Sequence, residues 1–455
     1  MKIRVLPVYL AGSAWHVFPQ ENQQLLVTME PAETLEQVRS MHRGLQESVR
    51  VPAQFLEPAC VDEKTTAEEL KRLADAADVI VLNLSCAIDP QILDVGKPVI
   101  VFAGERTPMM ALYSVPAAVR RQMPWIRLAL DHDEVDRELV RVAMSRVLER
   151  LRGSRMLVLG EYRCFERLPE PQRLRERLGV EIEALSSPDF LVRADGVDDA
   201  RIASLAERWV SAAQSVEEPD GEDLNSAARL FLALSDHMSE RGCDAVSVGC
   251  LEVMYQHRRR PFCFVLATLR DLGLPAGCES DATATLTMLI LELIAARPAY
   301  MGNLVLADPE ENLVAISHGC SPRFMLGRDA PPLPYRLVHS HSVPPFSRTT
   351  AGGAGLTSYV DYGQRGQRVT ICRIDAGLED FFLSSGEIID CRDTICDRTT
   401  LTAKVDDARA FVREASGNHQ VLIYGDFLRE IAAFCELAGI RVTGPGGARA
   451  GQAPS

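Results

Sequence analysis

The feature that most constrains the fold is a change of rhythm at Met301. Before it, short runs of almost unbroken apolar residues alternate with longer stretches of helical periodicity. Residues 3–9, 78–84 and 98–103 are such runs, and 155–160, 180–185, 245–249 and 274–278 repeat them. Helical patterns lie between them at 32–45, 66–76, 133–151, 198–213, 221–241, 261–272 and 281–296. Thr66 with Glu69 makes a capping box that marks one helix start. A strand apolar on both faces must be covered on both faces, and crossover helices over a parallel sheet do this. After Met301 the helical periodicity fades. Short β-rich runs appear at 304–306, 313–317, 369–374, 381–383 and 400–405, with dense Gly and Pro between them. That pattern suits an antiparallel, barrel-like unit. A final helix–strand–helix unit is expected over 406–437.

These rhythms predict an α/β chain: two successive Rossmann-like parallel-sheet domains followed by a β-rich, barrel-like C-terminal domain. The expected divisions are 1–153, 154–300 and 301–443, with a Gly/Ala/Pro-rich disordered tail over 444–455. A chain of 455 residues exceeds what one hydrophobic core supports, so several domains are expected.

A net charge of −14 disfavours nucleic acid, whose phosphates demand a basic face. No run reaches the roughly 18 apolar residues of a membrane helix. Lys2 and Arg4 ahead of residues 5–15 mimic a weak signal peptide, but Pro7 and Gly12 interrupt that stretch. The twelve cysteines are irregularly spaced and mostly sit in apolar segments, as Cys250, Cys278 and Cys435 do, which reads as reduced thiols of a cytoplasmic protein. Cys391 and Cys396 lack partners for a four-ligand zinc set.

Four places can carry chemistry. The segment Gly277-Cys278-Glu279-Ser280-Asp281 closes an apolar strand and opens an apolar helix, where ligands of open α/β sheets gather. Asp281 is explained as the helix cap; Glu279, lying before the cap, is not. Ser317-His318-Gly319-Cys320 ends a strand run, and Gly417-Asn418-His419 precedes one. His339-Ser340-His341 places two imidazoles on one side of a strand. Each alone has an ordinary structural reading. One Glu with several His makes a mixed O/N set suited to Mn²⁺, Co²⁺ or Zn²⁺.

The run from Cys278 to Pro322, CESDATATLTMLILELIAARPAYMGNLVLADPEENLVAISHGCSP, resembles the core of the L-fucose/L-arabinose isomerase-like family. Cys250, Pro261-Phe262-Cys263, the strand GQRVTICR at 366–373 and the segments 396–405 and 417–440 fit the same pattern. The resemblance is specific from about Cys243 onward. It implies a metal-dependent aldose–ketose isomerase working on an open-chain sugar through an enediol. It further implies a divalent cofactor, Mn²⁺ before Co²⁺ or Zn²⁺, and a homo-oligomer, trimer or hexamer. Carried over by position, Glu279 is the acid of the metal site and the acid/base group. His318 and His419 are metal-site histidines. Cys250, His339 and His341 are candidates for substrate binding. The family's second acid falls on Asn303, which can offer an amide oxygen as ligand but cannot act as a base. That departure keeps a non-isomerising member open: a sugar-binding or regulatory protein, or a metal-enediolate epimerase, aldolase or decarboxylase. No phosphate loop or nicotinamide fingerprint is present.

Overall fold

The computed structural model describes residues 2–10, 31–61, 65–84, 89–103, 108–160, 168–339, 355–363, 366–394 and 398–450. The chain groups into two compact units, Met1–Arg146 and Val147–Ser455.

The first unit is a parallel sheet with helices. Its strands are β1 (Ile3–Leu10), β2 (Ala53–Phe55), β3 (Ala59–Val61), β4 (Val79–Leu84), β5 (Val99–Phe102) and β6 (Ile126–Ala129). They run in the order β2-β1-β4-β5-β6, with β3 also on β1. β2 and β3 pair with successive stretches of β1, Ile3–Val5 and then Val8–Leu10, as one edge strand interrupted at Pro58 would. Counted so, the sheet is doubly wound, with its reversal between β1 and β4. Sequence reading missed both pieces, because three half-buried residues carry too little periodicity to register. The capping box forms as expected: Thr66 Oγ1 accepts from Glu69 N, and Glu69 accepts from Thr66 N at 2.8 Å. Val5, Ile80, Val99 and Val101 are fully buried, as strands covered on both faces require.

The second unit begins with another parallel sheet. Its strands are β7 (Arg155–Leu159), β8 (Glu181–Leu185), β10 (Ala245–Val248) and β11 (Ala276–Gly277), in the order β11-β10-β7-β8. β9 (Ser215–Val216) instead joins a small sheet with β14 (Tyr335–His339) and β15 (Leu356–Val360).

Beyond Met301 the expected change of rhythm becomes a closed antiparallel barrel. Its six strands are β12 (Tyr300–Asp308), β13 (Leu313–His318), β16 (Arg368–Ile374), β17 (Asp380–Thr394), β18 (Arg398–Val405) and β19 (His419–Tyr424). The order β16-β19-β12-β13-β18-β17 closes because β17 pairs back onto β16. Closure removes exposed strand edges. β20 (Arg441–Thr443) adds to β17 in parallel. β17 runs far beyond the expected 381–383, since its second half carries Glu387, Asp390, Arg392 and Asp393 and no longer reads as apolar. The strand of the expected helix–strand–helix unit is β19, which belongs to the barrel wall between β12 and β16.

The helix Ala282–Ala295 is apolar on almost every side and nearly all buried. It packs on β10 and β11 of the parallel sheet and on β16 and β19 of the barrel. The tail departs from expectation over residues 445–450, where a short helix forms, and Gly444 N donates to Glu414 Oε2 at 2.8 Å just before it. Residues 451–455 lie outside the described residues. Among the described residues no helix is long and apolar enough to cross a membrane.

Candidate metal and active site

β11 ends at Gly277, where a side chain would collide with Thr285 Oγ1, so only glycine lets the strand pass this close to the helix. The chain then turns over Cys278–Asp281. Asp281 N donates to Cys278 O at 3.1 Å, and the two central residues, Glu279 and Ser280, both have left-handed φ of 57° and 55°. Two adjacent non-glycine residues there are strained, and such strain persists where surrounding structure holds it. The turn presents the Glu279 carboxylate while returning Asp281 to the helix N-terminus, where it accepts from Ala284 N at 3.0 Å.

Two imidazoles meet Glu279. His419, the first residue of β19, brings Nε2 to 3.5 Å from Glu279 Oε2. His318, the last residue of β13, has its ring centroid 5.6 Å from that of His419. One ligand atom each from Glu279, His318 and His419 lie within 4.8 Å of one another. Both histidines are buried and Glu279 keeps 20% of its side chain exposed, so the group opens on the carboxylate side.

Asp281 does more than cap the helix. Its Oδ2 lies 2.8 Å from His419 Nδ1, and its Oδ1 accepts from Arg373 Nη2 at 2.8 Å. Burial pushes the Asp281 carboxyl up, but the His419 hydrogen bond and the Arg373 charge outweigh it and hold the group well below the usual carboxylate range. An ionised carboxylate only accepts, so His419 Nδ1 must donate, and Nε2 is the ring nitrogen that faces Glu279. This carboxylate–histidine arrangement fixes ring and tautomer around metal sites. Arg373, only 1% exposed, also donates from Nη1 to His419 O at 2.8 Å. It thereby ties the barrel strand β16 to the helix cap and to β19.

Sequence reading treated Asp281 as a cap alone and gave Arg373 no role. The available signal was an arginine inside the apolar run Val369–Ile374, which a barrel interior tolerates only if the charge is paired. Among the other expected residues, Asn303 stands opposite His419 in the β12–β19 register, and its Oδ1 accepts from Asn418 Nδ2 at 2.5 Å. His339 closes β14 and places Nε2 3.0 Å from Asp223 Oδ2, apart from the Glu279 group. His341 and Cys396 lie outside the described residues. Cys250 is buried, with Sγ 2.9 Å from Cys278 Sγ.

No protein-family model matches the chain. Curated relatives do, and four of them carry the name sulfoquinovose isomerase. One from Clostridium sp. (strain MSTE9) is 26% identical over 145 residues, 32% of either chain. One from Alkalicoccus urumqiensis is 24% identical over 164 residues, 34% of this chain and 35% of the relative. One from Priestia megaterium is 23% identical over 303 residues, 64% of each. The chain thus spans between about a third and just under two thirds of the length of these relatives. They are sugar isomerases by name, the general class that the L-fucose/L-arabinose isomerase resemblance implied, with a different sugar in the name.

Proposed function

We propose that this chain is an aldose–ketose isomerase acting on an open-chain sugar, with sulfoquinovose the first substrate to test. One observation carries the reading: Glu279, His318 and His419 converge beyond the carboxyl end of a parallel strand. The relatives' name supports it.

The donor set fits a divalent cation. It offers one carboxylate oxygen and two imidazole nitrogens, with His419 already oriented by Asp281. Such a set suits Mn²⁺, with Co²⁺ or Zn²⁺ next. Held by these three residues, the cation would supply Lewis acidity to the carbonyl oxygen of the sugar. The chain's own groups do the rest. Glu279 is the carboxylate that takes the proton from the carbon beside the carbonyl and returns it to the neighbouring carbon by way of an enediol. Asp281 and Arg373 hold His419 and stay outside the proton transfer, since their charges balance each other. Asn303 contributes a neutral amide, oriented by Asn418, to a sugar hydroxyl or the cation. His339 belongs to the same proposal as a sugar contact. So does a homo-oligomeric assembly.

A second reading, binding without turnover, is favoured by Asn303, which leaves the turn over Cys278–Asp281 as the source of carboxylate at the group. The test is incubation of the full chain with sulfoquinovose and a panel of free aldoses in D₂O, with and without added Mn²⁺. Ketose carrying deuterium at C1 is expected, with deuterium at C2 of the recovered aldose. Binding of these sugars with neither exchange nor ketose overturns the isomerase and leaves the second reading.

A further inference from the structure

Four cysteines from four separate elements form a connected cluster that reaches His318. Cys250 opens the helix Cys250–Tyr255 after β10, and Cys263 opens the helix Cys263–Asp271. Cys278 follows β11, and Cys320 follows β13. All four are buried. Cys250 Sγ lies 2.9 Å from Cys278 Sγ, and Cys320 is in hydrogen-bonding contact with Cys263, Cys278 and His318. A side chain at Gly319 would press Thr357 Oγ1 at 3.2 Å and meet Cys263 Sγ at 3.5 Å. One ligand atom each from Cys278, His318 and Cys320 lie within 4.8 Å of one another.

The geometry points to a second metal site, for a thiophilic dication such as Zn²⁺ or Cd²⁺, held by Cys278, Cys320 and His318. A triangle of donors with edges no longer than 4.8 Å puts its centre at most about 2.8 Å from each. Shifts of about 0.5 Å for sulfur and about 0.7–0.8 Å for nitrogen then reach the bond lengths of zinc, roughly 2.3 Å to sulfur and 2.0–2.1 Å to nitrogen. Charge favours the same occupant. Cys278 and Cys320 each lose one proton on binding, so two thiolates and a dication sum to zero, the condition a fully buried ion needs. The Glu279 group offers one carboxylate and no sulfur, so the two groups differ in softness and select different ions. His318 belongs to both. A thiophilic ion among the sulfurs therefore shares the His318 ring with the harder site. This site stands without the isomerase reading.

The test titrates the full-length chain, stripped of metal and kept reduced with a phosphine, with Cd²⁺ while following the ultraviolet thiolate-to-cadmium charge-transfer band. Saturation at one equivalent is expected, with the band lost in the Cys278→Ser/Cys320→Ser double variant and kept in Glu279→Gln. If the double variant lacks a cooperative unfolding transition, Cys278→Ala and Cys320→Ala taken singly must each weaken Cd²⁺ at least tenfold. No band in the native chain, a band surviving in the double variant, or single variants that bind as the native chain does overturns the site. Retention of the band in Glu279→Gln separates this outcome from any failure of the isomerase.

Discussion

Two parallel sheets end in two different kinds of crevice. In the first unit, Tyr9, Asn83 and Phe102 at the ends of β1, β4 and β5 border a cavity of about 280 Å³, together with Ser40, Gly44 and His132. His132 stacks on Phe102 with ring centroids 5.0 Å apart, and among the described residues no carboxylate lines the space. In the second unit, β11 ends in a strained turn that presents Glu279, backed by a buried Asp281–Arg373 pair and two histidines. Both places are where open α/β sheets collect ligands. The difference lies in what stands behind each surface. The first is shaped by rings and helix backbone, whereas the second is pre-set electrically, with charges fixed before any ligand arrives.

The largest expected effect tests that electrical support. Asp281→Asn leaves Arg373 buried without its anion, which typically costs about 3–5 kcal/mol, and it frees the His419 tautomer. Denaturant unfolding should show that loss, and Mn²⁺-dependent thermal stabilisation should disappear with it. The pH dependence follows from the depressed carboxyl. A group whose folded pKa is lowered contributes fully above its unfolded value of about 3.9 and loses that contribution as pH falls through the folded value. The gap between native chain and variant should therefore stay constant from about pH 8 to pH 5 and close only in stronger acid. A gap that narrows already near pH 6 would deny the ion pair its role.

Glu279→Gln separates chemistry from stability. The amide keeps the shape and loses the base, so turnover should fall by about 10²-fold or more. The carboxylate is partly exposed and, among the described residues, pairs with His419 and with no arginine, so unfolding free energy should move by no more than about 0.5 kcal/mol. Equal turnover in variant and native chain would place the base elsewhere. Asn303→Asp is smaller. It adds a charge in register with His419 while keeping an acceptor for Asn418, and calorimetric Mn²⁺ affinity should rise by less than tenfold, under about 1.4 kcal/mol. A weaker affinity would exclude Asn303 from the ion's surroundings.

The smallest effect belongs to the first unit. Among the described residues a side chain at Gly44 would meet only His132, with Cε1 at an ordinary 3.6 Å. Gly44→Ala should therefore stabilise the helix Pro31–Ser48 by up to about 1 kcal/mol, seen as a modest rise in melting temperature. A fall instead would mean the cavity wall admits no added carbon, a tighter crevice than its volume suggests.

Much of the layout is legible in the chain itself. Apolar runs such as Val79–Leu84 and Val99–Phe102 report burial on both faces, and that is a local property of a few residues. The fading of helical periodicity after Met301 likewise announced antiparallel strands, and the position of Glu279 before the cap marked it as unexplained by capping. Short edge pieces such as Ala53–Phe55 and the charged half of Asp380–Thr394 escaped, because their side chains face partly outward and carry no apolar signal.

Other features were decided only by the return of the chain on itself. The hydrogen bond between Asp281 and His419 joins residues 138 positions apart, and that between Arg373 and Asp281 spans 92. Closure of β17 onto β16, the meeting of His318 with His419, and the gathering of four cysteines are of the same kind. Periodicity tells which face of an element is buried, since burial repeats along that element. It cannot tell which distant residue shares the burial, because that partner is chosen by the packing of whole elements and leaves no repeat in either segment.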